Sequence, residues 1–271
     1  MKQKLKHLMI KFKLMSVFRA FKYIYLLLKP SNLFSNIAYR LRPSHDRFPI
    51  PPLYLIYLTI NNPSIFDYYR GGYITSNSIK RLLKRNKIDI NNFESILEFG
   101  SGCGRVIRDF SSLENVELYG SDYNPKLVKW CQKKLYCANF SVNNLEAPLK
   151  FKDKKFDLIY LISVFTHLPQ KTQLNWLKEF HRITKSNKYV LISLHGEHIA
   201  ESLTKEEKEL FQKNGYVERG LDKAGSNHYG TFHKKEYFEK MIKGLFKIVD
   251  ISYGGNPNYP YQDLYLLEKI F

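Results

Sequence analysis

The sequence predicts an α/β protein whose parallel sheet carries helices on both faces. Two observations lead there: from Ser95 onward short apolar strands alternate with helical segments, and a glycine-rich turn closes the first strand. Strand and helix alternating at this spacing imply right-handed crossovers between parallel neighbours. The first strand is Ser95-Ile96-Leu97-Glu98-Phe99, the turn is Gly100-Ser101-Gly102-Cys103-Gly104, and a helical segment is expected from Arg105-Val106-Ile107. A second strand, Val116 to Ser121, ends on Asp122. Glycines in a strand-to-helix turn allow positive φ and a close approach of backbone to ligand. An acid at the tip of the next strand can hold a ribose diol through charge-assisted hydrogen bonds. Together they describe a nucleoside-containing cofactor lying across the strand ends.

The glycine spacing narrows the choice. A nicotinamide or flavin site uses Gly-x-Gly-x-x-Gly, with the helix N-terminus receiving a pyrophosphate. Here the third glycine comes one residue early and Glu98 stands two places before the first. Glu-x-Gly-x-Gly-x-Gly resembles the first motif of class I S-adenosylmethionine-dependent methyltransferases. That resemblance implies S-adenosylmethionine as cofactor, held by Glu98, Gly100, Ser101, Gly102, Gly104 and Asp122. The cofactor has no pyrophosphate, and its ammonium group suits a carboxylate.

Further along, Tyr123-Asn124-Pro125 leads into a helix to about Leu135, because proline is well placed at a first helical position. By the same resemblance Tyr123, next to the ribose-binding acid, lies against the adenine. A short strand, Ala138 to Val142, precedes Asn143-Asn144-Leu145-Glu146. The family pattern has an aspartate here for the adenine amino group; this chain offers Asn144, flanked by Leu145, with Glu146 nearby. Lys155 to Ser163 reads as a buried strand followed by Val164-Phe165-Thr166-His167-Leu168. That passage resembles the family's fourth-strand region and places Ser163 at the cofactor. A helix from Lys171 to Thr184, a strand from Tyr189 to Leu194, and two closing strands, Phe246 to Ser252 and Asp263 to Lys269, complete the alternation. The resemblance covers residues 66–271. It implies a doubly wound, mostly parallel seven-stranded Rossmann-like sheet whose last strand inserts antiparallel.

Residues 1–65 are expected to form a basic helical extension and a proline-rich connection. Ten Lys or Arg and no Asp or Glu fall in residues 1–45, so the other 226 residues carry only +8 of the formal +18 charge. That distribution weakens a nucleic-acid partner without excluding one. The helix expected over 1–29, stopped by Pro30, is either a peripheral contact with an anionic membrane or a packing element on its own domain or a twin subunit. Residues 30–64 read as an extended connection. A helical stretch follows from Ser64, and the resemblance makes Tyr69, Gly72 and Tyr73 candidate lid contacts. Three cysteines, Cys103, Cys131 and Cys137, form no Cys-x-x-Cys pair and suit a reducing compartment. No secretory signal is read, and the run Tyr23 to Leu28 is far too short to span a bilayer, so the expected location is cytoplasmic, with peripheral attachment at the inner membrane face.

Methyl transfer from a sulfonium is an in-line displacement, and holding the partners collinear is worth roughly 7 to 11 kcal/mol. A hydroxyl acceptor also loses a proton, which calls for a base within hydrogen-bond reach. His167, after the fourth strand, and His195, after the fifth, are the candidates; each could instead fix its turn. Glu197 and His198 beside His195 match no zinc spacing, so no metal is expected. Between His195 and Lys234 runs a polar insertion with a charged helix, Leu203 to Lys213. His228, Tyr229 and His233 there are either acceptor contacts or anchors of a surface flap. The Asn/Asp-Pro-Pro-Tyr of base-amino methylases is absent, its place being held by Ser163-Val164-Phe165-Thr166. The membrane-compatible N-terminus and the resemblance point to a small acceptor, a sugar hydroxyl of a glycan precursor, with an RNA methyltransferase or a non-catalytic cofactor-binding scaffold as alternatives.

Overall fold

The computed structural model describes residues 15–41, 46–220, 229–254 and 261–270. Its seven-stranded sheet contains β1 (Ser95–Phe99), β2 (Glu117–Asp122), β3 (Asn139–Val142), β4 (Phe156–Leu161), β5 (Thr184–Leu194), β8 (Phe246–Ser252) and β9 (Asp263–Lys269). A separate hairpin is made by β6 (Tyr216–Gly220) and β7 (Tyr229–His233). The sheet order is β3-β2-β1-β4-β5-β9-β8. The first five strands run parallel, and β9 enters antiparallel between β5 and β8. The expected doubly wound sheet with its antiparallel insertion is therefore the architecture found.

Central strands β1 and β4 are buried along their whole length, as apolar runs covered on both faces must be. On one face Phe99 packs against Trp176 and Phe180 of helix Gln170–Ile183, with ring centroids 4.4 and 5.1 Å away. On the other, Phe110 meets Tyr160 at 5.5 Å. After β3 the chain returns to the far side of β1 to lay down β4. The order thus reverses between β1 and β4, and the carboxyl ends of these strands diverge into a crevice.

Two expectations fail. No α-helix follows the glycine turn; only a single 3₁₀ turn, Ile107–Phe110, lies there. The face is taken by helix Ile65–Arg85, capped by Ser64 and 21 residues long. That helix comes so close that a Cβ on Gly72 would lie 2.3 Å from the Arg105 carbonyl oxygen. Ser76 Oγ donates to Asp109 at 2.8 Å and Lys80 Nζ to the Asp109 carbonyl at 3.0 Å, fastening helix to turn.

Nor is 30–64 an extended connection. It holds helices α2 (Pro30–Arg40) and α3 (Leu53–Ile60), preceded by α1 (Met15–Leu28). Pro30 both ends α1 and starts α2 at its first turn, a position where the missing N–H costs nothing. Ile56 of α3 is fully buried in the same cluster as Ile96 of β1, so this segment shares the core of the sheet. Arg108, 1% exposed, anchors the stretch before α3 through an ion pair to Asp46 at 2.5 Å.

Candidate functional site

At the carboxyl ends of β1, β2 and β4 lies a cleft of about 300 Å³. Its floor is the glycine turn, folded back by two hydrogen bonds in which the N–H groups of Gly100 and Ser101 donate to the Ser121 carbonyl, at 2.7 and 3.0 Å. Gly100 and Gly102 take φ of +79° and +56°, the left-handed region that favours glycine. Added Cβ atoms would stand 2.4 Å from Val164 Cγ2 and 2.7 Å from Thr59 Cγ2, respectively, so neither position has room for a side chain.

Two carboxylates bound the floor. Asp122 ends β2, its Oδ2 accepting from Gly102 N at 2.8 Å and its Oδ1 from Asn124 N at 2.8 Å. Burial raises its pKa, while these two amide donors pull it back down. Each carboxylate oxygen keeps a further lone pair for a ligand hydroxyl. Glu98, 4% exposed, lies deeper, and its Oε2 accepts from Ile107 N at 3.0 Å. Desolvation pushes its carboxyl up to about 8, with the Arg105 charge and the Ile107 amide opposing. A cation entering the cleft would favour the charged form of both acids.

The wall opposite comes from the loop after β3 and the end of β4. Asn143, Asn144 and Leu145 line it, together with Tyr123. Asn143 is fixed by Ser121 Oγ, which donates to its Oδ1 at 2.6 Å. Glu146 is turned away and accepts from Thr172 Oγ1 at 2.7 Å, leaving Asn144 and Asn143 as the amides at the cleft. Ser163 also lines it, in the left-handed region at φ +58°. Its N–H donates to Ser193 Oγ at 2.7 Å and its Oγ to Gln262 Oε1 at 3.0 Å, which hold this uncommon backbone in place.

His167 lines the cleft as well. Its Nδ1 donates to the Tyr229 carbonyl at 2.6 Å, since a carbonyl can only accept. Burial lowers its pKa below the usual imidazole value, with that hydrogen bond acting against the shift. The ring is thereby neutral near pH 7, with Nε2 carrying the lone pair.

Nine of the ten residues expected at the cofactor line this one cleft: Glu98, Gly100, Ser101, Gly102, Asp122, Tyr123, Asn144, Leu145 and Ser163. Gly104 does not. Its φ is +75°, and an added Cβ would meet Leu135 Cδ1 at 2.3 Å, so it serves packing beneath the turn. Of the base candidates, His195 lies outside the lining, its ring against Phe232 at 5.0 Å and its Nε2 3.3 Å from Gln262 Nε2. Burial and the neighbouring His167 bring its pKa down to about 4.

The acceptor candidates fare differently. His233 is sealed inside, its Nε2 donating to Gln173 Oε1 at 2.8 Å, and burial lowers its pKa to about 3. Gln173 Nε2 in turn donates to the carbonyls of Phe165 and Leu168 at 2.9 and 2.8 Å, so His233 braces the loop that carries His167. Tyr229 gives its carbonyl to His167 and its hydroxyl to Glu218. His228 lies outside the described residues. The expected lid contacts move too. Tyr69 and Gly72 are buried away from the cleft, and Tyr73 is not among its lining residues. The lining instead includes Leu58, Thr59, Ile60 and Asn61 at the end of α3. The signal for it was present in the sequence, as an apolar run directly after Pro51-Pro52.

Residues 96–187 match the model of a family described as a methyltransferase domain. Residues 96–187, about a third of the chain, thus resemble a methyltransferase domain, and the fold around them is that of class I methyltransferases. Solved structures share its fold. An S-adenosylmethionine-dependent methyltransferase from Methanosarcina mazei superposes with a TM-score of 0.53 at 16% identity, over 70% of this chain and 97% of that one. Another from Clostridium acetobutylicum gives 0.51 at 14% identity, over 73% and 92%. Magnesium protoporphyrin IX methyltransferase from Synechocystis, solved with S-adenosylhomocysteine, gives 0.53 at 16%, over 75% and 86%.

The cleft suits S-adenosylmethionine, the cofactor that the Glu98-to-Gly104 motif implies. Asp122 offers acceptor sites for a ribose diol, Asn144 offers an amide for an adenine edge, and Glu98 and Asp122 supply negative charge for a cationic ligand. Among the described residues Ser101 Oγ is buried without a hydrogen-bond partner while its residue lines the cleft, a polar group left for a ligand to satisfy.

Proposed function

We propose that this methyltransferase acts on an oxygen nucleophile of a small acceptor, a sugar hydroxyl of a glycan precursor, with His167 as general base. The bound cofactor supplies an electrophilic methyl group. The chain must orient the acceptor and take up the hydroxyl proton. The observation that carries the proposal is the His167–Tyr229 hydrogen bond, which keeps the proton on Nδ1 and leaves Nε2 free to accept one in the cleft. An imidazole that is neutral near pH 7 can take up a proton, as a general base must. Nitrogen or sulfur acceptors of ordinary nucleophilicity need such a base less.

The cleft gives little support to an RNA acceptor. Among the 24 residues lining it, Arg105 is the single Lys or Arg, so no row of cations stands ready for phosphates. Intact Glu98 and Asp122 speak against a non-catalytic scaffold. The test is S-adenosylhomocysteine release with a panel of nucleotide sugars, lipid-linked sugars and RNA, followed by mapping of the methylated atom. Transfer to a sugar oxygen supports the proposal. Transfer to an RNA base, with activity falling steeply as salt rises, would replace it.

A further inference from the structure

The amino-terminal helices are amphipathic in the inverted sense. On α2 the polar Asn32 and Asn36 are buried, while Leu33, Phe34 and Ile37 face outward. On α1 the outward stripe includes Phe21, Tyr25 and Leu28. Phe21 and Phe34 are 68% and 71% exposed, far more than large aromatic side chains on a covered helix face. This orientation is fixed rather than accidental. Asn36 Nδ2 donates to the Pro63 carbonyl at 2.8 Å and its Oδ1 accepts from Ile65 N at 2.8 Å. Asn32 Nδ2 donates to Asn62 Oδ1 at 2.9 Å and to the Leu26 carbonyl at 2.8 Å. Four directional bonds therefore lock the polar side of α2 inward and its apolar side out.

We propose that the exposed apolar face of α1 and α2 docks on an anionic lipid surface. Charge decides between occupants. Residues 1–45 hold ten Lys or Arg and no Asp or Glu, and Arg19, Lys22, Lys29 and Arg40 among them lie on or beside α1 and α2. A second copy packed face to face would bring these cations opposite one another, with no acid on either helix to offset them. Anionic headgroups provide the missing countercharge while the acyl region receives the aromatic and aliphatic side chains. No helix among the described residues is long and apolar enough to cross a membrane, so the contact is one that lies on the surface.

The face also connects to the cleft. Lys22 of α1 donates to Asn61 Oδ1 at 3.1 Å, and Tyr57 of α3 donates its hydroxyl to the Arg19 carbonyl at 3.3 Å. Asn61 and its neighbours on α3 line the cleft, so a surface that seats α1 bears on the cleft wall. An acceptor presented from the same lipid surface would reach the cleft without leaving it. This proposal stands whichever atom is methylated.

The test is co-flotation of the full chain with vesicles of phosphatidylcholine alone or with about one third phosphatidylglycerol, at low and high salt. S-adenosylhomocysteine affinity serves as the check of folding. We expect at least tenfold tighter binding to the anionic vesicles, weakened by salt, and its loss in the double variant Phe21→Glu/Phe34→Glu with cofactor affinity unchanged. Equal binding to both vesicle types would overturn the role of charge. Absence of vesicle binding, with a dimer in sedimentation that the double variant breaks, would assign the face to a second copy instead. A failure to methylate sugars leaves both readouts intact, so the two proposals fall separately.

Discussion

The Nδ1 atom of His167 and the carbonyl oxygen of Tyr229 lie 2.6 Å apart, joining the loop after β4 to the first residue of β7. The hairpin thus sets which nitrogen of the imidazole is free. Thr231 Oγ1 adds a bond to the Phe165 carbonyl at 2.8 Å, so the same loop is held at two points.

Replacing His167 by Gln should lower the rate constant of transfer about a hundredfold or more, while S-adenosylhomocysteine affinity stays within a few-fold. The pH profile gives the sharper readout. A base must be neutral, and burial holds this imidazole below its ordinary 6.5. Activity should therefore be on its plateau by pH 7 and decline only as pH falls below 6.5, and that acidic limb should vanish in His167→Gln. An unchanged profile would make His167 a turn-fixing residue.

Glu98 predicts a stability loss toward alkaline pH. Its folded carboxyl is raised to about 8 from an ordinary 4.5, so the folded chain holds a proton that the unfolded chain has released. Stability from this group is complete below 4.5 and is lost as pH rises to 8, with a limiting slope of about 1.4 kcal/mol per pH unit. Denaturant titrations from pH 6.5 to 8 should show the decline in the native chain and a flatter response in Glu98→Gln, which can still accept from Ile107 N.

Acid has the opposite effect through His195 and His233. Both stay neutral in the folded chain, with values lowered to about 4 and about 3, whereas the unfolded chain takes up protons near 6.5. Stability should fall as pH drops below 6.5, each histidine adding up to about 1.4 kcal/mol per unit until its folded value is reached. In His233→Gln, which can still donate to Gln173, the slope between pH 6 and 4.5 should shrink; an unaltered slope would show that His233 already titrates normally.

For Asp122 the useful variant is Asn, which removes the charge and keeps an oxygen for one of the two backbone amides, that of Gly102 or that of Asn124. Loss of charge-assisted bonds to a ribose diol should cost about 1.5 to 3 kcal/mol, or roughly ten- to a hundredfold in S-adenosylhomocysteine affinity. Equal affinity in the variant would place the ribose elsewhere.

What the sequence made legible was local. The Glu98 to Gly104 spacing, Asp122 at a strand tip and Pro125 opening a helix each carry their meaning within a few residues, and the cleft assembles from them. Contacts across long separations did not show. His233 is defined by Gln173, 60 residues away, and His195 by Gln262, 67 residues away. Helix α3 was hidden because its prolines, read as breakers, sit just ahead of its first turn. The missing helix after Gly104 depends on helix Ile65–Arg85 occupying that face, which no local pattern announces.

The cofactor assignment is tested most directly by calorimetric titration of the full chain with S-adenosylhomocysteine, using NAD as the comparison ligand. The cleft predicts saturable binding of S-adenosylhomocysteine, weakened in Asp122→Asn, and none of NAD. Binding of NAD alone, or of neither ligand, would contradict it.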